Sequence, residues 1–246
     1  MKCLVTGVSR GIGRATTVEL LRQGHTVWGL SRTGKEEGWG KEAGEFRHTV
    51  CDIRHSESRQ TAAAEMDSAG FVPDVVIVNA AVEYEEATSS LSWEKMQAVL
   101  QTNVEGALFW VSNWMDRSPR LSMQFVGIST ILALWPDPDC PAYSASKAAL
   151  SMAFRSLRIR HAGELVKFKL LVLGPVQTSI NPRFAEGAPP SRGVASPEAV
   201  ADYLINTVLS KTQFTFYYPW QTSLVCRFGA WMPDRLFECV TRPLRR

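Results

Sequence analysis

Residues 6–13 read Thr6-Gly7-Val8-Ser9-Arg10-Gly11-Ile12-Gly13, between a short apolar run, Cys3–Thr6, and a segment of helical periodicity, Gly11–Gln23. Glycines at such a junction let a backbone approach a phosphate closely, and a helix N-terminus offers it unpaired N–H groups and a partial positive charge. The spacing is T-G-x-x-x-G-x-G rather than G-x-G-x-x-G. Its place after a strand and before a helix is the context that a dinucleotide-binding turn needs. Ile12, Ala15, Val18 and Leu21 or Leu20 mark one face of the helix, and Gly24 stands where a C′ glycine ends it.

Beyond this unit the rhythm repeats. Thr26–Leu30, Thr49–Cys51, Val75–Asn79, Gln124–Ile128 and Phe168–Leu173 are apolar runs of strand length, and Phe214–Tyr218 begins the tail as another strand. Ser56–Ala69, Leu91–Trp114, Ala142–Ala162 and Pro197–Leu209 carry helical periodicity. The alternation predicts an α/β fold, a Rossmann-type doubly wound parallel sheet of about seven strands with helices on both faces. Leu91–Trp114 is apolar around much of its circumference, which predicts a helix buried on two sides, by the core alone or by the core and a second subunit. Residues 1–246 are expected to form one domain. Its distinctive parts are a Pro- and Gly-rich substrate loop at 179–195 and an aromatic, basic extension at 219–246.

Composition sets the bounds. An apolar fraction of 45% with 21% charged residues excludes a disordered chain. Lys plus Arg at 27 against Asp plus Glu at 24 implies no broad basic surface for nucleic acid. The five cysteines, Cys3, Cys51, Cys140, Cys226 and Cys239, have no Cys-x-x-Cys spacing and imply no metal site; they read as free thiols of a reducing compartment. The apolar start is too short for a signal peptide, and the uncharged run Thr212–Cys226 is short of the roughly 20 residues that span a bilayer, so a cytoplasmic location is expected.

Several side chains at strand ends suit a dinucleotide. After the second strand come Ser31 and Arg32, where an acidic residue would bind the ribose 2′-hydroxyl of NAD; Arg10 and Arg32 instead suit the 2′-phosphate of NADP. Asp52, followed by Ile53, could accept from an adenine amino group, although Asp at a strand end also forms turns and caps. Asn79, Ala80 and Ala81 end the fourth strand with small residues that admit a ribose. Tyr143 and Lys147, four apart at the start of a helical pattern, share one face, and a nearby cation favours the phenolate that acid–base work needs.

Jointly, the glycine pattern, Asp52, Asn79, Asn103 and Tyr143-x-x-x-Lys147 resemble the short single-domain branch of the short-chain dehydrogenase/reductases, over about residues 1–210. The resemblance implies an NADP(H)-dependent oxidoreductase that interconverts a carbonyl and a secondary alcohol. Gly7, Ser9, Gly11, Ile12 and Gly13 would form its phosphate turn, Tyr143 would protonate the carbonyl oxygen, and Lys147 would lower the tyrosine pKa and hold the nicotinamide ribose. The family's substrate-binding hydroxyl falls at Thr130, or at its neighbour Ser129 if the loop shifts by one residue. Asn103 matches a helix asparagine whose side chain holds a water on the proton path, and Gly174, Val176 and Thr178 match a segment beside the nicotinamide carboxamide. Leu173 and Ala81 replace a usual proline and glycine.

A homodimer or homotetramer acting on a small carbonyl or alcohol substrate is implied, with Trp135-Pro136, Val82-Glu83-Tyr84 and Phe184 lining a partly aromatic pocket. The alternative is a non-catalytic NADP(H)-binding protein of the same fold. For the tail, with Trp220, Phe228, Trp231 and Phe237 beside Arg227, Arg235, Arg242, Arg245 and Arg246, two readings stand: a membrane-surface segment, or burial as a seventh strand and subunit interface or pocket cover. Burial is the stronger of the two.

Overall fold

Side chains of Lys2–Thr6 (β1) alternate between two cores: Leu4 joins one, Cys3 and Val5 the other. The same division runs through β2 (Thr26–Ser31), β4 (Val75–Val78), β5 (Gln124–Thr130) and β6 (Lys167–Leu173), so the sheet is covered on both faces. With β3 (Phe46–Val50) and β7 (Thr215–Tyr218) it has the order β3-β2-β1-β4-β5-β6-β7, every pair parallel. This computed structural model describes residues 1–34, 43–84, 91–117, 122–135, 137–180, 193–229, 232–233 and 235–236. Most of the expected loop, 181–192, and the end of the tail, 237–246, therefore lie outside the described residues, as does Cys239.

The expected Rossmann-type sheet is present. Helix α1 (Gly11–Arg22) stops at Gln23, and Gly24 follows at φ +78° with its N–H on the Leu21 carbonyl, the predicted C′ stop. Helix α2 spans Ser56–Ser68, and α5 spans Pro141–Arg160 with proline in its first turn, where no N–H is missed. Helix α6 (Pro197–Tyr203) is capped by the Ser196 hydroxyl, which accepts from Ala199 N–H, and runs into a π-helical turn at Leu204–Val208.

Two expectations are corrected. The third strand starts at Phe46 rather than Thr49 and stops before Cys51; Arg47 and His48 hid it, because an edge strand tolerates polar side chains on its open side. Leu91–Trp114 is not one uniform helix but α3 (Trp93–Leu100), a π-helical turn at Gln101–Gly106 and α4 (Ala107–Arg117). Of its three tryptophans, Trp110 and Trp114 are buried in the core of this chain and Trp93 is exposed.

The strand order reverses between β1 and β4, where crossovers leave toward opposite faces and a crevice opens at the carboxyl ends of the strands. The cavity that gathers the expected site residues lies at that point.

Candidate functional site

At the end of β1, Gly7 takes φ +76°, and a Cβ there would lie 2.8 Å from the Ala80 Cα. A Cβ on Gly13 would lie 2.1 Å from the Gly7 carbonyl oxygen and 2.5 Å from Asn79 Nδ2, so no other residue fits without moving backbone. Asn79 fixes the turn from β4: its Nδ2 donates to the carbonyls of Thr6 (2.9 Å) and Gly7 (3.3 Å), and its N–H donates to the Thr6 hydroxyl. Asn79, expected among the cofactor-binding residues, lines the cavity and spends its amide N–H groups on holding the glycine turn.

The crevice is a cavity of about 380 Å³. Gly7, Ser9, Arg10, Gly11, Ile12, Ser31, Arg32, Asp52, Ile53, Asn79, Ala80 and Ala81 line one part of it; Ser129, Thr130, Tyr143, Lys147, Gly174, Val176 and Thr178 line another. Among the expected site residues, Gly13 and Asn103 support the wall from behind, each buried. Arg10 and Arg32 are exposed at the rim, and neither guanidinium has an ion-pair partner among the described residues. The Ser31 hydroxyl is committed, donating to the Thr33 carbonyl and meeting His48 Nε2 at 2.8 Å.

Asp52 forms a turn rather than presenting a free carboxylate. Arg54 donates to it from its backbone N–H and from its guanidinium, at 2.6 Å for Nη2 to Oδ2, and this partner holds the Asp52 carboxyl down at about 2.

Tyr143 and Lys147 come from the first turns of α5. The Lys147 ammonium lies 5.7 Å from the tyrosine ring centre and donates to the Ile128 carbonyl at 2.9 Å. Two of its three N–H groups are left for the cavity. Burial lowers its pKa to about 8, while the Glu83 carboxylate works against that change. The Tyr143 hydroxyl has no hydrogen-bond partner among the described residues, and it is pushed well above the ordinary phenol value, by burial first, then by Glu83 and Cys140. Lys147 is not among the influences that set this direction for the phenol.

The two hydroxyls left open by the sequence separate. Ser151 donates to the Lys147 carbonyl (2.7 Å), so the 2.7 Å contact between Ser129 and Ser151 spends the Ser129 proton. Thr130 accepts from the Leu132 N–H and its own proton has no acceptor among the described residues. Asn103 is held by protein partners. Its Oδ1 accepts from Val82 N–H, and Nδ2 donates to the Val82 carbonyl and the Ser146 hydroxyl, so both amide hydrogens are used by protein and none is left for a water. It clamps the segment after β4 to α5.

Glycine at 174 is required by close approach, since a Cβ would lie 2.9 Å from Thr222 Oγ1. Val176 pairs with Ala195 as an isolated bridge, and Thr178 packs its methyl toward Gly11. On the substrate side Val82, Glu83, Ile131, Leu132, Asp137 and Ile180 line the cavity. Trp135 and Tyr84 do not: the turn Ile131–Ala133 folds back so that Ile131 and Leu132 face inward, and Tyr84 is exposed. Pro136 and Phe184 lie outside the described residues. Glu83 and Asp137 were not legible as charges of the site, because a carboxylate in a loop is unremarkable until the fold sets it in the cavity, Glu83 within reach of Tyr143.

Among the described residues no cluster of His, Cys, Asp and Glu suits a metal ion, and no helix is long and apolar enough to cross a membrane.

The chain matches the model of the short chain dehydrogenase family over residues 2–188. It is 27% identical over 248 residues to an uncharacterized oxidoreductase of Myxococcus xanthus, covering 98% of this chain and 96% of that one. A glucose 1-dehydrogenase of Gluconobacter oxydans is 24% identical over 212 residues, 79% of this chain and 76% of that one. Among solved structures, an alcohol dehydrogenase of the archaeon Thermococcus sibiricus complexed with 5-hydroxy-NADP superposes with a TM-score of 0.79 at 21% identity, covering 88% of this chain and 94% of that one. A 4-hydroxyisoleucine dehydrogenase complexed with NADH does so with a TM-score of 0.77 at 18% identity, covering 88% and 96%.

Proposed function

The chain belongs to the short-chain dehydrogenase family, and from that premise we propose that it is an NADP(H)-dependent oxidoreductase interconverting a small carbonyl compound and its secondary alcohol, with Tyr143 as the acid–base group. The observation that carries the reading is an unpartnered phenol, Tyr143, beside a buried lysine in a cavity that opens at the strand-order reversal. The fit for a dinucleotide rests on two further features. Gly7 and Gly13 let the turn from β1 into α1 close tightly on itself, the turn residues Gly7, Ser9, Gly11 and Ile12 line the cavity, and Arg10 and Arg32 stand at its rim with no ion-pair partner among the described residues. Positions 31 and 32, at the end of β2, are serine and arginine and offer no carboxylate to a ribose 2′-hydroxyl, which supports NADP(H) over NAD(H). The relatives do not decide this, since their solved complexes hold a 5-hydroxy-NADP in one case and NADH in the other.

When bound, the reduced nicotinamide supplies the hydride that adds to the carbonyl carbon. Tyr143 gives its proton to the carbonyl oxygen as charge develops there. Lys147, protonated below about pH 8, lies close enough to stabilise the resulting phenolate. Thr130, with an uncommitted proton, orients the substrate oxygen; Ser129 cannot, because its proton is spent on Ser151. Asn103, Asn79 and Gly174 position these groups without touching substrate.

The non-catalytic alternative predicts cofactor binding without turnover. The test is reduction of a carbonyl panel with NADPH by the wild-type chain and by Tyr143→Phe. The expected result is turnover in the first and a loss of about 10²-fold or more in the second, with the NADPH titration by fluorescence unchanged. Equal turnover by the two proteins overturns the mechanism.

A further inference from the structure

Helix α7 (Gln221–Gly229) follows β7 and has two unlike sides. Thr222 and Cys226, four apart, are buried: the first against Gly174, the second in the core. The opposite side carries Leu224 and Phe228, in line with Trp220 just before the helix. These residues are 44%, 70% and 67% exposed, with Val225 at 39% beside them. Two large aromatics and two aliphatics in a row make a continuous apolar stripe, where a monomeric surface normally scatters such residues singly.

The charge around the stripe points to its occupant. Gln221–Gly229 has one charged residue, Arg227, which is exposed, and no carboxylate. Among the described residues of 221–236 the other charge is Arg235, also exposed, and there is no carboxylate. A two-fold contact of this face with a second copy would set arginines against arginines. Anionic lipid headgroups complement them, while tryptophan and phenylalanine suit the boundary between headgroups and acyl chains.

We propose that the outer face of α7 attaches the protein peripherally to anionic phospholipid bilayers, the helix lying in the plane of the interface. The helix packs on the turn Ile131–Ala133, whose Ile131 and Leu132 line the cavity, so attachment sets the cavity beside the bilayer.

The test is flotation of the full chain with vesicles of phosphatidylcholine alone and with phosphatidylglycerol added. The wild-type protein floats with the anionic vesicles, not with the neutral ones, and added salt reduces the bound fraction. The variant Trp220→Ser with Phe228→Ser binds about tenfold less or weaker still. Both side chains are exposed, so its melting temperature and NADPH titration should match the wild type, which separates loss of binding from loss of fold. Wild-type protein that stays in the dense fraction overturns the proposal, and so does a variant that floats as well as the wild type. If neither floats and gel filtration shows the variant to be the smaller particle, the stripe belongs to a second copy and the proposal falls.

Discussion

Tyr143 and Lys147 feel the same carboxylate in the same direction. Burial is the larger influence on each, but Glu83 raises both, opposing the drop of Lys147 to about 8 and adding to the rise of Tyr143. Lys147 carries its charge below about pH 8 and loses it above, so kcat/KM for carbonyl reduction should decline on an alkaline limb near that value. Glu83→Gln removes an influence that holds protons on, so the limb should shift toward lower pH. Parallel pH profiles of kcat/KM measure this, and an unmoved limb means that Glu83 does not act on the lysine. The tyrosine and lysine were legible in the sequence because their relation is local, four residues along one helix. The choice between Ser129 and Thr130 was not: it turns on Ser151, 22 residues further on, which takes the Ser129 proton. The amide of Asn103 was hidden in the same way, since its partners Val82 and Ser146 lie on other elements.

Among the elements, the turn from β1 into α1 is the least forgiving. A methyl group on Gly13 would meet the Gly7 carbonyl and the Asn79 amide at distances that only backbone movement relieves. Gly13→Ala should therefore cost about 1–3 kcal/mol, a drop of roughly 2–12 °C in Tm for a chain of this size, and should abolish NADPH binding because the turn that receives the phosphates is displaced. Thermal melts and fluorescence titration check both parts; full cofactor affinity in the variant would mean that the turn does not hold phosphate. Most strands and helices were legible because parallel strands buried on both faces read as uninterrupted apolar runs between turn residues. The π-helical turn at Gln101–Gly106 was not, since a π-turn keeps helical periodicity on either side and is set by tertiary contacts. Here those are the clamp by Asn103 and the approach of Gly106 to Ile53, where a Cβ would stand 2.8 Å from the carbonyl oxygen.

Across the whole molecule, the order of the strands decides where a ligand can act on stability. The cavity joins the ends of β1, β2, β4, β5 and β6, so a dinucleotide held there bridges both halves of the sheet and must leave before the chain unfolds. The topology was readable from the repeated alternation, whereas the tail was not: its strand carries the expected alternation only over Thr215–Tyr218, and the stripe after it resembles core until the fold leaves it exposed. Linkage turns the cavity into a measurement. A ligand at about 100 times its Kd adds about 2.7 kcal/mol, which at about 2–4 °C per kcal/mol raises Tm by roughly 5–11 °C. NADPH should do this at concentrations where NADH does less, because only its 2′-phosphate engages Arg10 and Arg32. The two arginines are exposed and have no ion-pair partner among the described residues, and Arg10 caps α1 without a side-chain bond. Arg10→Ala with Arg32→Ala should thus leave the ligand-free melt unchanged while bringing the NADPH shift down to that of NADH. A larger shift with NADH in the wild-type chain would reverse the cofactor assignment and leave the rest of the site's chemistry intact.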